Sequence, residues 1–288
     1  MDYSSQVDGF RLAYDRVGSG APVVLLHGWP GDHTDYRKLA PLLADSSHVV
    51  VPDLRGFGMS DKHLVDPEKV YSAAGQARGV IALMDELGLT SAVLAGYDVG
   101  SLVAQTVAAM RPDLVRALVV SPPLPGAGKR ILDLKEAKEF WYTTFHQQEV
   151  AVQLLDGKPE DLRAYLRHFW SHWSGPNYII EEDALNHLVE VYSQPGAFTA
   201  SLGWYRCSSN PVTAYTAETT PVPADRLTVP TTVLWQELDP IFPTHWSDRL
   251  DEYFVDVTLE PLPGVGHYTP LEASAQFADA IKKRLLRP

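Results

Sequence analysis

Short apolar runs and amphipathic stretches alternate along this chain. Phe10–Tyr14 alternates apolar and polar residues and predicts an antiparallel edge strand ending at the Gly18-Ser19-Gly20 turn. Residues 22–26, 48–52, 92–95 and 115–120 are short apolar runs bounded by turn residues, the pattern of strands buried on both faces. Residues 35–44 and 73–87 read as helices between them. Gly88 is placed to end the second, and an Ala- and Val-rich helix follows residue 98. Strand–helix alternation of this kind predicts an α/β fold with a mostly parallel sheet. The pattern changes at Ser121-Pro122-Pro123. From there to about Asn210 the chain reads as helices only, crowded with aromatics, and strands resume at 231–235 and 255–259 before a last helix over 272–285. The organisation expected is a core over 1–123, an inserted all-helical cap over 124–215, and the rest of the core over 216–288. Such a cap would roof the C-terminal strand ends, where open α/β sheets bind ligands.

Composition narrows the class. The chain has 288 residues, is 45% hydrophobic and 21% charged, and carries a formal net charge of −12. An acidic surface argues against nucleic acid or an anionic membrane as partner. Cys207 is the single cysteine, so an intramolecular disulfide is excluded. Residues 1–7 have neither a basic start nor an apolar run of the signal-peptide kind, and no stretch reaches the length of a membrane span. A cytoplasmic protein, monomer or homodimer, is the expectation.

The chemistry centres on Gly96-Tyr97-Asp98-Val99-Gly100, between an apolar strand and a helix. The glycines suit an abrupt strand-to-helix turn, which forces the middle residue into a strained backbone conformation with its side chain above the sheet. An ordinary helix N-cap would also place Asp here. Two further residues decide between these readings. Asp239 follows one strand and His267 follows the last, so nucleophile, acid and histidine occur in the order Asp98, Asp239, His267. A carboxylate nucleophile attacks saturated carbon and leaves an alkyl ester, which water activated by His267 can then hydrolyse. The backbone N–H groups of Val99 and of Trp29, in the His27-Gly28-Trp29-Pro30 turn, are the candidate oxyanion donors.

Two leaving groups suit an Asp nucleophile. A halide calls for donors beside it, and Val99 offers no indole there. An epoxide oxygen calls for acids above it, and the helical insert offers Tyr142, Tyr165, Tyr178, Tyr192 and Tyr205.

The whole chain resembles the α/β-hydrolase-fold epoxide hydrolases, of the bacterial, cofactor-free type related to soluble epoxide hydrolases. The resemblance rests on His27-Gly-Trp-Pro-Gly31, Val51–Gly58, Gly96–Gly100, Phe140–Gln147, His168–Trp173, Gly203–Arg206 and the Asp239 and His267 turns. It implies that Tyr142 and Tyr205 hydrogen-bond the epoxide oxygen, that the Trp29–Pro30 bond is cis, and that neither cofactor nor metal takes part. It implies a small hydrophobic epoxide and water as the reactants. His27, Pro30, Phe57, Trp141 and Trp204 are the expected pocket lining. Tyr97 departs from the family, which usually has His before the nucleophile; it is expected to point away from substrate. Competing readings are a dehalogenase using the same nucleophile and a non-catalytic small-molecule receptor on this fold.

Overall fold

The structure, a computed structural model, describes residues 1–286. Eight strands form one sheet: β1 (Asp2–Tyr3), β2 (Ala13–Val17), β3 (Ala21–Leu26), β4 (Ser47–Pro52), β5 (Ala92–Gly96), β6 (Val115–Val120), β7 (Thr231–Gln236) and β8 (Val257–Leu262). Their order is β1-β2-β4-β3-β5-β6-β7-β8, and β2 alone runs against the others. This is the expected α/β architecture, and helices flank the sheet. Every residue of β5 and of β7 is buried, as strands covered on both faces are; β5 is apolar throughout, while β7 also buries Thr231, Thr232 and Gln236.

The differences from expectation have local causes. The first predicted strand starts three residues later, at Ala13, while Phe10 and Leu12 are buried below the strand's start. It is not the edge either, because β1 pairs outside it. The helix expected over 35–44 is broken into a 3-10 turn, His33–Tyr36, and one short helix, Ala40–Leu43. Asp32 caps the first piece by accepting from the Thr34 amide, and Pro41 starts the second. The last strand lies two residues later than expected at its start, with the register set by pairing Thr231 with Val257. As an edge strand β8 tolerates Pro261, which a central strand would not.

Between β6 and β7 the described residues form only α- and 3-10 helices, the last being Pro211–Ala217 and the short turn Pro223–Asp225. Asn210 caps the former by accepting from the Val212 amide. No helix among the described residues is long and apolar enough to cross a membrane.

Candidate active site

The turn after β5 is built by close approach. A Cβ on Gly100 would sit 1.9 Å from the Leu26 carbonyl oxygen, and one on Gly96 would sit 2.6 Å from the Gly100 backbone. No other residue fits at either place. Between them Asp98 takes φ 49°, ψ −126°, a conformation an L-residue adopts only when its surroundings impose it. Asp98 does not cap the helix Val99–Met110: its side chain makes no capping bond. Instead Oδ1 accepts the Trp29 backbone N–H at 2.7 Å. The Val99 amide, first in the helix, has no intrahelical acceptor.

The structure brings Asp98, His267 and Asp239 together from the ends of three strands. His267 Nε2 lies 3.6 Å from Asp98 Oδ2, and His267 Nδ1 is 2.9 Å from Asp239 Oδ2. The first distance exceeds a hydrogen bond, so the imidazole faces the carboxylate without tying it up. Asp239 is itself fixed by the Ile241 N–H at 2.8 Å on Oδ1 and by Gln236 Nε2 at 3.0 Å on Oδ2. Gln236 is a positioning group that its place inside a buried strand did not advertise in the sequence. Burial opposes a charge on His267, but the carboxylates of Asp239 and Asp98 outweigh it and raise the imidazole pKa to about 10.

That shift makes a stability prediction. The folded-state pKa lies above the ordinary 6.5, so this contribution is fully present below that pH and is lost as pH rises through about 10. The unfolding midpoint should fall over this range, and fall less in His267→Gln. Equal slopes in the two proteins would contradict the assignment.

Above Asp98, Tyr142 and Tyr205 are both 2% exposed, with ring centroids 5.6 Å apart and planes at 84°. Among the described residues no protein group hydrogen-bonds either hydroxyl. Burial, with the nearby Asp98 charge, pushes both phenols well above their ordinary range, so each remains a proton donor. Trp29 stacks parallel to Tyr142 at 5.9 Å and meets Tyr205 edge-on at 5.8 Å. The Trp29–Pro30 peptide is cis, as the resemblance implied.

Other expected pocket residues are placed differently. His27 is fully buried and spends both ring nitrogens on backbone: Nδ1 on Gly28 O at 2.9 Å, Nε2 on the Leu54 N–H at 3.0 Å. Its ring is thus committed to the backbone around the turn, and Phe57 packs edge-on against it. Trp141 is 44% exposed, on the outer side of its helix, where it stacks on Phe169. Neighbouring positions on a helix point in different directions, so Tyr142 faces inward and Trp141 outward. Trp204 is buried outside the cluster of rings around Trp29. Phe169 and Trp173 join the rings packed around Trp29, at 4.8 and 6.1 Å, with Trp173 also 5.0 Å from His267. Their spacing of four on the helix Pro159–His172 and its C-cap was the available signal.

One cluster elsewhere has the residue types of a metal site: Asp32, His33 and Asp53. Its oxygens are already engaged. Asp53 accepts from the His33 and Met59 amides, and Asp32 from Thr34 and His187.

This fold with this site defines a hydrolase of the α/β class, and the family model for the α/β hydrolase fold matches residues 21–274. The chain belongs to that family. It is 32% identical, over 98% of its length and 96% of the relative's, to a soluble epoxide hydrolase of Corynebacterium sp. (strain C12). A haloalkane dehalogenase of Bradyrhizobium diazoefficiens is 33% identical over 68% of this chain and 56% of its own length. Among solved structures, the ligand-free epoxide hydrolase CorEH superposes with a TM-score of 0.84 at 26% identity, covering 99% of this chain and 98% of that one.

Proposed function

We propose that the protein is an epoxide hydrolase that converts an epoxide and water to a vicinal diol through an alkyl ester on Asp98. Residues 124–215 act as its cap. The observation that carries this reading is the pair of unpartnered phenols, Tyr142 and Tyr205, both packed on the ring of Trp29, whose backbone N–H holds one Asp98 oxygen, and both near enough for the Asp98 charge to raise their pKa.

Asp98 Oδ2 attacks a ring carbon while Oδ1 stays on the Trp29 N–H. The carbon–oxygen bond of the ring breaks. Its oxygen takes hydrogen bonds from both tyrosines and the proton of one. His267, oriented by Asp239, then removes a proton from water, and the resulting hydroxide adds to the ester carbonyl carbon. The Trp29 and Val99 N–H groups hold the oxyanion. Collapse expels the diol and regenerates the carboxyl group, whose proton goes to the departing oxygen. The proton that His267 carries in the resting site passes to the ionised tyrosine once the ester has formed, which frees the imidazole to act as base, and the proton drawn from water restores the imidazolium. Protons and charge balance, and neither metal nor redox cofactor is called on.

Each of Tyr142→Phe and Tyr205→Phe should slow ester formation by roughly 10²-fold, the usual size of a general-acid contribution. Rapid-quench measurement of the ester checks this, and normal rates in both variants would remove the tyrosines from the mechanism.

Dehalogenation is the competing reading, supported by the Bradyrhizobium relative. Val99 puts no indole beside the nucleophile, whereas two hydroxyl donors stand above it, as an oxygen leaving group requires. A panel of styrene-type, aliphatic and cyclic epoxides with chiral analysis of the diols, run beside halide-release assays on haloalkanes, separates the two. Diol without halide release supports the proposal, and the reverse overturns it.

A further inference from the structure

Tyr97 has no part in the chemistry above, yet it lies against both His267 and the loop that carries Trp29. It is fully buried, and its hydroxyl donates to Asp35 Oδ2 at 2.5 Å. Asp35 is 1% exposed and sits in the turn His33–Tyr36, on the same loop as Trp29. That loop closes on the carboxyl: a Cβ on Gly31 would lie 1.8 Å from Asp35 Oδ2. At Gly28 the loop leans on the nucleophile turn, where a Cβ would lie 2.6 Å from Asp98 Cβ and 3.0 Å from Tyr97 Cε2. The Tyr97 ring also meets His267 edge-on at 5.8 Å and Tyr268 at 6.4 Å.

We propose that Tyr97 and Asp35 form a positioning clamp: their buried hydrogen bond ties the nucleophile turn to the loop carrying the Trp29 N–H, fixing Asp98 against both its oxyanion donor and His267. This rests on Asp98 being the nucleophile. The chain supplies the need. Asp98 holds an adverse backbone conformation, and such a residue keeps its geometry only if neighbours over-determine it. The Trp29–Asp98 contact joins residues 69 apart in sequence. The Tyr97–Asp35 bond joins the same two segments a few ångströms away, so loop and turn are pinned at two points rather than one.

The clamp is built to be neutral. Burial, reinforced by the Asp32 charge, holds the Asp35 carboxyl well above the usual carboxylate range. A carboxamide is therefore the fitting substitute at this position, since its oxygen accepts from the phenol as the carboxyl oxygen does. A leucine there accepts nothing.

The test measures ester formation by rapid quench in Tyr97→Phe, Asp35→Asn, Asp35→Leu and the double variant Tyr97→Phe/Asp35→Leu, each first shown to be folded by circular dichroism. Misplacing reacting groups by about 1 Å costs on the order of 10²-fold. Tyr97→Phe and Asp35→Leu should each slow the step by roughly 10- to 100-fold with KM changed less than about threefold. Asp35→Asn should stay within about threefold of the parent, and the double variant should be no slower than either single one.

A readout in the resting protein needs no substrate: the downfield proton resonance of His267 Nδ1 should move in Tyr97→Phe and hold in Asp35→Asn. A parent-like rate and resonance in folded Tyr97→Phe would overturn the clamp, as would additive losses in the double variant. If the parent itself forms no ester, the nucleophile reading fails separately, and the resonance still decides whether Tyr97 positions His267.

Discussion

Asp98→Ala is expected to lose turnover by on the order of 10⁶-fold, the scale seen when a covalent nucleophile is removed from a triad. The loss should fall on kcat, because no other side chain is placed to substitute. Asp239 is the other carboxylate near His267, and it is committed to the imidazole, to Gln236 and to the Ile241 amide. Asp98→Asn keeps the shape and the Trp29 contact but not the nucleophile, so it should be comparably inactive while still binding substrate. Steady-state kinetics on a turned-over epoxide, with binding followed by tryptophan fluorescence, would check both. Turnover of either variant within about tenfold of the parent would be incompatible with covalent catalysis at Asp98.

His267→Gln should have the second largest effect, and a different one. On the proposed mechanism it would remove the base for the second half-reaction and spare the first. Ester hydrolysis is expected to slow by roughly 10³-fold or more, the upper part of the general-base range, while ester formation continues. The variant should therefore accumulate protein heavier by one whole substrate molecule, visible by intact-mass spectrometry. The electrostatics explain why the two steps separate. In the resting protein both Asp98 and Asp239 favour the charged imidazole. Esterification would remove the Asp98 charge, so the imidazole pKa should drop from about 10 toward its ordinary range, its proton passing to the ionised tyrosine and leaving a free base when water must be activated. Hydrolysis should accelerate as pH rises through that lowered value. If His267→Gln accumulates no ester, His267 acts before or outside the hydrolytic step.

Much of this was legible along the chain because of how buried parallel strands are written. They are short apolar runs stopped by glycine and proline, and Asp98 and Asp239 each follow one, whereas His267 follows the edge strand β8, most of which is exposed or half-buried. Tyr142 and Tyr205 came from the local motif of the helical insert, not from periodicity. Facing direction within that insert was harder: Trp141 and Tyr142 are adjacent, and only the packing of Tyr142 on Trp29 and Trp173 settles which one turns inward. Long-range pairing was not legible. Nothing near Tyr97 names Asp35, 62 residues away, as its partner. Likewise His27 looks like a pocket residue beside Gly28 and Trp29 until Leu54 is seen to claim its ring.

The most direct test of a covalent ester on Asp98 is a single turnover in heavy-oxygen water with enzyme in excess over epoxide. The oxygen delivered to the diol should come from the Asp98 carboxylate, so the first diol should carry no label, and peptide mass spectrometry should find the heavy oxygen on Asp98. Label in that first diol, with none on Asp98, would mean that water attacks the epoxide directly and that Asp98 is not the nucleophile.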